Sequence, residues 1–295
     1  NLGIFLFGDV PFYVSKDSAD VWSNRSLFSI LTNSDTFFQS GVPPDYFSET
    51  GQLWGNPVYR WSRHKASNYR WWRKRISRHL EQVDFLRLDH FRALEAFWAI
   101  PGKDKTAENG FWLPSPGREI LRLIKNDCSG LLPLVAEDLG LITSKVERLR
   151  DDYELVGMKI LQFAFDGNSD NPYLPENIKK ENWIVYTGTH DNDTIVGWYL
   201  DFIKKSSKKM VNLIPNFKDI PKKETNWFFI DIALKSKAKV VIIPFQDIIG
   251  LGTNGRMNIP GTTDTKNWTW RASKNHLEKK LTNKMKKLMQ NSKRL

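Results

Sequence analysis

Arg87 and Asp89 stand two residues apart in the segment R-L-D-H-F-R, at the end of the largely apolar run Val83–Leu88. The run predicts a buried strand, and residues two apart on a strand point to the same side. A guanidinium group next to a carboxyl group favours the ionised form of the carboxyl, and a carboxylate must be ionised to attack as a nucleophile. By itself an R-x-D pattern is more often a structural ion pair than a nucleophile with its partner. The residues at the other strand ends are needed to distinguish these two interpretations.

Two further acids follow predicted strands. Glu137 comes directly after the apolar run Leu131–Ala136, where desolvation would raise a carboxyl pKa towards neutrality. Asp191 lies beside His190 in T-G-T-H-D-N-D-T. Carboxyl groups with opposed pKa values are typical of glycosidic-bond chemistry, in which one attacks the anomeric carbon and another protonates the leaving oxygen. A third can stabilise the charge that develops on the sugar. The alternative is structural: Asp191 could cap the following helix, and Glu137 could begin one.

A metal site is a competing interpretation, because His and Asp residues gather in these segments. The sequence has only 5 His, no H-E-x-x-H motif and no His pair at i,i+4 spacing. We therefore interpret His90 and His190 as hydrogen-bond donors to hydroxyl groups and expect no metal.

Six apolar runs recur along the chain, and each is followed by polar residues at its C-terminal end. Such runs predict parallel strands that are covered by helices. The runs are Gly3–Phe7 before Asp9, Val83–Leu88 before Asp89, Leu131–Ala136 before Glu137, Met158–Phe165 before Asp166, Trp183–Tyr186 before Thr189–Asp191, and Val240–Pro244 before Gln246 and Asp247.

Helical patterns separate these strands, which predicts an α/β fold. They are Tyr69–Gln82, Ser115–Asn126, Thr143–Tyr153, Thr194–Lys205 and Lys223–Lys237. A (β/α)₈ barrel is favoured, because catalytic groups then gather at the carboxyl ends of the strands. An open doubly wound sheet is the alternative. It is less favoured, because the sequence has no G-x-G-x-x-G and no phosphate-binding loop motif. A complete barrel has eight strands, so we expect the first two to lie upstream of Asn1.

Two long loops interrupt the alternation. The connection from Asp9 to Arg60 contains the turn-rich segment Pro43–Pro57, which would expose the aromatic side chains of Tyr46, Phe47 and Trp54. Aromatic faces stack on the C–H faces of sugar rings, so this loop predicts a saccharide-binding cleft. The second loop, Gly250–Thr263, follows the last predicted strand and could bring Arg256 and Asn258 over the same rim.

Composition narrows the class of protein. The chain has 295 residues, with 12 Trp and a single cysteine, so it is globular and has no internal disulfide. One cysteine fits a cytoplasmic protein, or a plastid protein if the source is a plant or an alga. No run is long enough to span a bilayer, and the apolar N-terminus lacks the features of a signal peptide. A strand so close to the first residue suggests that the chain is cut upstream.

The net charge of +11 raises the question of nucleic acid. The basic segment Lys274–Arg294 carries Leu277, Leu281, Met285 and Leu288 at helical spacing, so its lysines are interpreted as the exposed face of an amphipathic helix. We expect neither nucleic acid nor a membrane as a partner.

Several motifs resemble those of glycoside hydrolase family 77, the 4-alpha-glucanotransferases or amylomaltases, and they occur in the family's order. They are G-D-V-P-F-Y-V (Gly8–Val14), D-S-A-D-V-W (Asp17–Trp22), the segment Pro43–Pro57, R-L-D-H-F-R (Arg87–Arg92), A-E-D-L-G (Ala136–Gly140), G-M-K-I-L-Q-F-A-F (Gly157–Phe165), T-G-T-H-D-N-D-T (Thr187–Thr194) and R-M-N-I-P-G-T (Arg256–Thr262). Ala93, where the family commonly has Gly, and the turn Thr262–Asn267 depart from the pattern.

The resemblance implies a retaining transfer of α-1,4-glucan segments, without cofactor or metal, on a maltooligosaccharide or α-glucan. It implies that Asp89 is the nucleophile, Glu137 the general acid/base and Asp191 the transition-state stabiliser. Substrate-binding positions would be Arg87, His90, His190, Asp9, Trp54 and Asn258.

The resemblance also implies that residues 1–295 are the major, C-terminal part of one catalytic barrel, with residues 10–60 as an inserted region. A hydrolase acting on the same bond and a glucan-binding module without catalysis stay open as alternatives.

Overall fold

A computed structural model describes residues 2–45, 48–215, 220–221 and 223–295. The chain divides into two compact units, Asn1–Gly157 and Met158–Leu295. The strands of the described residues are β1 (Phe7–Val10), β2 (Phe38–Val42), β3 (Gln52–Pro57), β4 (Phe85–Leu88), β5 (Ala96–Pro101), β6 (Phe111–Pro114), β7 (Leu134–Ala136), β8 (Gly157–Ile160), β9 (Trp183–Tyr186) and β10 (Val240–Ile242).

The helices of the described residues lie mostly between the parallel strands. They are α1 (Ala19–Ser23), α2 (Trp61–Ala66), α3 (Arg70–Leu80), α4 (Gly117–Asp127), α5 (Ser144–Asp152), α6 (Ile195–Lys205), α7 (Lys208–Val211), α8 (Thr225–Lys235), α9 (Phe245–Ile249) and α10 (Lys279–Asn291). The five helices predicted from periodicity are confirmed, with their ends displaced by at most two residues.

In the first unit, β1, β4 and β7 form a parallel sheet in that order. The register pairs Asp9 with Arg87 and Leu88 with Ala136. The sheet is covered by α3 and α4, whose apolar faces are buried in the core, Trp72 and Ile76 from α3 and Ile120 and Leu121 from α4. Because parallel strands in register end at the same edge, this sheet carries Asp9, Asp89 and Glu137 to one edge.

A second sheet of the first unit, with the order β3-β2-β5-β6, is antiparallel and was not predicted. It falls partly in residues 10–60, which the sequence indicated as an inserted loop region. Gly41 permits the close approach of β2 and β3, because an added Cβ there would lie 2.2 Å from the carbonyl oxygen of Gln52. Tyr46 and Phe47, expected on the same loop, lie outside the described residues.

In the second unit, β8, β9 and β10 form a sheet in the order β10-β9-β8, in which β9 and β10 are parallel. Its core contains Phe165, Ile195 and Phe229. The apolar side of α10, formed by Leu281, Met285, Leu288 and Met289, packs on the group of Trp227, Ile230 and Leu234 from α8. The amphipathic helix predicted in the basic C-terminal segment is therefore confirmed for Lys279–Asn291, but the inclusion of Leu277 is wrong, because Leu277 precedes the helix and is exposed.

The α/β class is confirmed, and the strands lie in three sheets. The strand predicted at Gly3–Phe7 is wrong in extent: β1 begins at Phe7, and residues 2–6 are exposed. The run Met158–Phe165 is strand only up to Ile160 and continues as a 3₁₀ helix, Leu161–Phe163. Among the described residues, none of the helices has the length and apolar character needed to cross a membrane.

Candidate active site

Arg87 stands at the centre of a charged group on the first unit's parallel sheet. Its Nη1 atom lies 2.8 Å from Oδ2 of Asp9, and its Nη2 atom lies 2.8 Å from Oδ1 of Asp89. The Arg87 side chain is 12% exposed, whereas those of Asp9 and Asp89 are 47% and 42% exposed. Burial lowers the pKa of Arg87, but Asp89 and Asp9 outweigh this effect and raise it. Arg87 is therefore a permanent cation that holds Asp89 from one side and leaves much of that carboxylate accessible.

Glu137 follows β7 at the same edge. Its Oε2 atom accepts a hydrogen bond from the backbone N–H of His90 (2.8 Å), and its Oε1 atom accepts one from the N–H of Leu139 (3.2 Å). Desolvation by the surrounding protein and the charge of Asp89 raise the pKa of Glu137 to about 7, although Arg87 and the two amides act in the opposite direction. Near neutral pH this carboxyl group can both donate and accept a proton.

His90 contacts both Glu137 and the aromatic ring of Trp54. Its backbone has a φ of 52°, in the left-handed region, and this conformation directs its N–H to Glu137. The imidazole lies edge to face against Trp54, with 4.8 Å between the ring centroids. Burial and the nearby Arg92 lower the pKa of His90 to about 3, so the ring is neutral at pH 7. A neutral imidazole can form a hydrogen bond with a hydroxyl group. The neighbouring indole can contact the apolar face of the ring that carries this hydroxyl.

Asp191 and His190 lie in the second unit, on the segment between β9 and α6. The Oδ1 atom of Asp191 accepts a hydrogen bond from Nδ2 of Asn258 (2.7 Å), and the carbonyl oxygen of Asp191 accepts one from Nη2 of Arg256 (2.6 Å). The backbone N–H of Asn258 donates to the carbonyl oxygen of His190. The predicted grouping of His190, Asp191, Arg256 and Asn258 is therefore present within this unit.

The structural alternatives for the acids can now be weighed. Helix α6 is capped by Thr194, whose side chain accepts a hydrogen bond from the N–H of Gly197, so Asp191 is not the cap. The neighbour of Glu137, Asp138, forms a buried ion pair with Arg150 on α5. Asp138 is thus structural. Helix α5 begins at Ser144, with Thr143 at the N-cap position, so Glu137 does not begin a helix.

Two residues near these groups, Tyr13 and Trp268, were missed by sequence reasoning, whereas Arg92 was part of the polar segment after β4 but had no assigned role. Tyr13 and Arg92 are buried close to His90, and the guanidinium of Arg92 lies 3.7 Å from the ring centroid of Trp112. The indole of Trp268 lies 5.1 Å from the imidazole of His190, although Trp268 has a left-handed φ of 63°. The motif R-L-D-H-F-R did contain Arg92, but nothing in the sequence indicated that an aromatic ring would cover it.

The first unit thus provides a carboxyl group paired with arginine and a second carboxyl group with a pKa near neutrality. Retaining glycosidases in general use two carboxyl groups of these kinds, one as nucleophile and one as acid. The second unit provides a third carboxylate, that of Asp191, which accepts from Asn258, while Arg256 binds the backbone carbonyl of the same residue.

Comparison with known proteins agrees with this chemistry. A family model described as 4-alpha-glucanotransferase matches residues 1–277. A 4-alpha-glucanotransferase of Synechocystis sp. is 48% identical over 269 residues, which are 91% of this chain and 52% of the relative. The corresponding protein of Thermus thermophilus is 42% identical over 275 residues, which are 92% of this chain and 54% of the relative. The chain therefore spans about half the length of the curated relatives it matches.

One solved structure is also similar, that of an amylomaltase from Streptococcus agalactiae in complex with acarbose. The TM-score is 0.92 at 36% identity, and the match covers 99% of this chain and 58% of that chain.

Proposed function

This chain belongs to the 4-alpha-glucanotransferase family, glycoside hydrolase family 77, and from that premise we propose that the protein carrying it transfers α-1,4-glucan segments with retention of configuration. The donor is a maltooligosaccharide or α-glucan, and the acceptor is the 4-hydroxyl of a second glucan or of glucose. The observation that carries the proposal is the pairing of Glu137, with its pKa of about 7, and Asp89, held by Arg87.

In the first step Asp89 attacks the anomeric carbon, the glycosidic bond breaks, and Glu137 gives its proton to the leaving oxygen. The product is a glucosyl ester of Asp89 and a shortened glucan. In the second step Glu137 removes the proton from the acceptor hydroxyl, whose oxygen attacks the anomeric carbon and releases Asp89. Each step leaves Glu137 in the protonation state that the other one requires, for which a pKa near 7 is well suited.

The remaining residues receive their roles from the family motifs. We propose that Asp191 stabilises the charge of the transition state, and that Arg87 and His190 hold the reacting sugar. Asp9, His90, Trp54 and Asn258 would contact the glucan. The neutral imidazole of His90 and the indole of Trp54, 4.8 Å apart, support a role at a sugar ring.

The fold that we propose for this activity is a (β/α)₈ barrel, of which residues 1–295 form the major part. Two features support it. The strand pairs β1–β4, β4–β7 and β9–β10 are parallel, as a barrel requires, and the acids of the first sheet lie at the carboxyl ends of the strands. Residues 10–60 would be the insertion that shapes the glucan cleft.

Transfer rather than hydrolysis requires that a sugar hydroxyl reacts faster than water. We propose that the segment Pro43–Pro57 builds acceptor sites and covers the cleft. Shortening this segment in the complete protein should raise glucose release relative to transfer. An unchanged ratio would contradict this role.

The test of the function is incubation of the complete protein with maltotriose. A transferase gives a ladder of longer oligosaccharides together with glucose. Shorter products alone would show a hydrolase, and binding without any turnover would show a glucan-binding module.

A further inference from the structure

Asp247 is a buried carboxyl group in the second unit that the proposed reaction does not use. The sequence indicated it only as one of the polar residues after the last predicted strand. It lies in α9, and the residue is 1% exposed. We propose that Asp247 is a positioning residue that fixes the segment carrying Asp191 by binding both of its ends; its effect on catalysis rests on the proposed function.

The two oxygens of Asp247 bind two different elements. Its Oδ2 atom accepts a hydrogen bond from the hydroxyl of Thr187 (2.6 Å), which directly follows β9. Its Oδ1 atom accepts one from the backbone N–H of Ile195 (2.7 Å), the first residue of α6. The segment between these two points, Gly188–Thr194, contains His190 and Asp191. One side chain therefore fixes where the segment leaves the sheet and where it enters the helix.

Asp247 is itself anchored to the core. The Nδ2 atom of Asn226 donates to the carbonyl oxygens of Asp247 (2.8 Å) and Ile248 (3.2 Å). Asn226 is a buried residue of α8, the helix that packs on the core of this unit. We call the two hydrogen bonds from Thr187 and Ile195 to Asp247 the clamp. The clamp thus joins the Asp191 segment to a well-packed helix and not to a surface loop.

Asp247 is buried in surroundings that disfavour its charged form. Burial raises the pKa of Asp247 to about 6, Asp193 adds to this effect, and the two donors, Thr187 and Ile195, oppose it. A carboxyl group whose folded pKa is raised stabilises the fold most below its unfolded pKa, and this contribution is lost as the pH rises through about 6. An uncharged amide at this position should therefore fold at least as well at pH 7.5. It has only one acceptor oxygen, however, and cannot serve both donors.

A variant that keeps its stability but loses one hydrogen bond can distinguish a positioning role of Asp247 from a purely structural one. Asp247→Asn should keep its unfolding temperature at pH 7.5, or raise it, while the segment loses one of its two attachments. A residue with only a structural role would lose activity in proportion to its loss of stability.

The experiment uses the complete protein with maltotriose as the probe. It compares the wild type with Asp247→Asn, Thr187→Val, Thr187→Ser and a control, Asp231→Asn, which changes a carboxylate of α8 that pairs with Lys235. Three quantities are measured at pH 7.5: kcat and KM for transfer, the unfolding temperature, and hydrogen exchange of the amides in residues 188–195.

We expect Asp247→Asn to lower kcat by about 100-fold, the loss that a misplacement of about 1 Å produces. Its KM should change much less than its kcat. Exchange at the Ile195 amide should become faster, and the unfolding temperature should not fall. Thr187→Val should show a smaller loss of kcat, and Thr187→Ser, which keeps the hydroxyl, should restore it. The control should match the wild type.

Unchanged kcat in folded Asp247→Asn, or exchange rates equal to the wild type, would overturn the clamp. So would losses of activity that follow the unfolding temperature in both Asp247→Asn and Thr187→Val. If the wild type performs no transfer, the proposed function fails, and the exchange comparison alone still decides the clamp.

Discussion

In residues 1–157 the candidate acids are supported by charge, whereas in residues 158–295 Asp191 is held mainly by hydrogen bonds from the loop Gly250–Thr263. Arg87 binds both Asp9 and Asp89, and Asp89 in turn raises the pKa of Glu137. Asp191 instead receives the amide of Asn258 on its carboxylate and a bond from Arg256 on its backbone.

This difference separates two tasks. The charged group of the first unit sets the protonation state of Glu137, because Asp89 raises the pKa of Glu137 and Arg87 lowers it. The hydrogen bonds of the second unit set position, because the carboxylate of Asp191 binds the neutral amide of Asn258 and the guanidinium of Arg256 binds the backbone carbonyl. Substitutions in the first unit should therefore alter the chemical step and its pH dependence, and substitutions in the second should alter rate through placement.

The largest effect should come from Asp89→Asn, which removes the nucleophile. We expect transfer to fall by at least about 10⁴-fold, as for other residues that form a covalent intermediate. Glucan binding, measured by calorimetry with maltooligosaccharides, should remain within a few-fold of the wild type. Near-normal turnover in this variant would refute the assignment.

Glu137→Gln should have the second largest effect, a loss of about 10³-fold in transfer from maltotriose. A donor with a good leaving group, such as a maltosyl fluoride, needs no protonation, so it should recover formation of the covalent intermediate but not its breakdown. Equal loss with both donors would show that Glu137 is not the acid.

Charge and position can be compared through one variant of each unit. Arg87→Met should lower kcat by about 100-fold and Asn258→Leu by about tenfold, since hydrogen bonds to charged groups contribute about 1.5–3 kcal/mol. Only Arg87→Met should also move the pH profile, because Arg87 lowers the pKa of Glu137. A shifted profile in Asn258→Leu would remove the distinction between the two units.

The smallest effect concerns stability. The folded pKa of Glu137 is about 7, above its usual value, so its contribution to stability is full below pH 4.5 and is lost as the pH rises through 7. Glu137→Gln should therefore unfold at a higher temperature than the wild type at pH 8, and the difference should shrink towards pH 4.5. Calorimetric scans at both pH values measure this. A variant that is less stable at pH 8 would contradict the raised pKa.

The acids of the first unit could be located from the sequence because strand ends are local features. An apolar run that stops at Asp89 or Glu137 indicates both the strand and the edge to which the acid belongs. The same reasoning failed at residues 2–6, because an apolar composition does not by itself supply a neighbouring strand.

The antiparallel sheet and the Asp247 clamp could not be predicted in this way. Strands β2 and β3 are short and contain Gly and Pro, and β2 pairs with β5, about sixty residues further along the chain. The bond between Thr187 and Asp247 also joins residues sixty positions apart. Such contacts depend on tertiary packing, which periodicity and motifs do not encode.

The most direct test of the account is to trap the intermediate. Glu137→Gln in the complete protein is incubated with a maltosyl fluoride and then digested for peptide mass spectrometry. The account predicts one maltosyl group, attached to the peptide that contains Asp89 and bound through that carboxyl group. Fluoride release without an adduct, or an adduct on another residue, would contradict it.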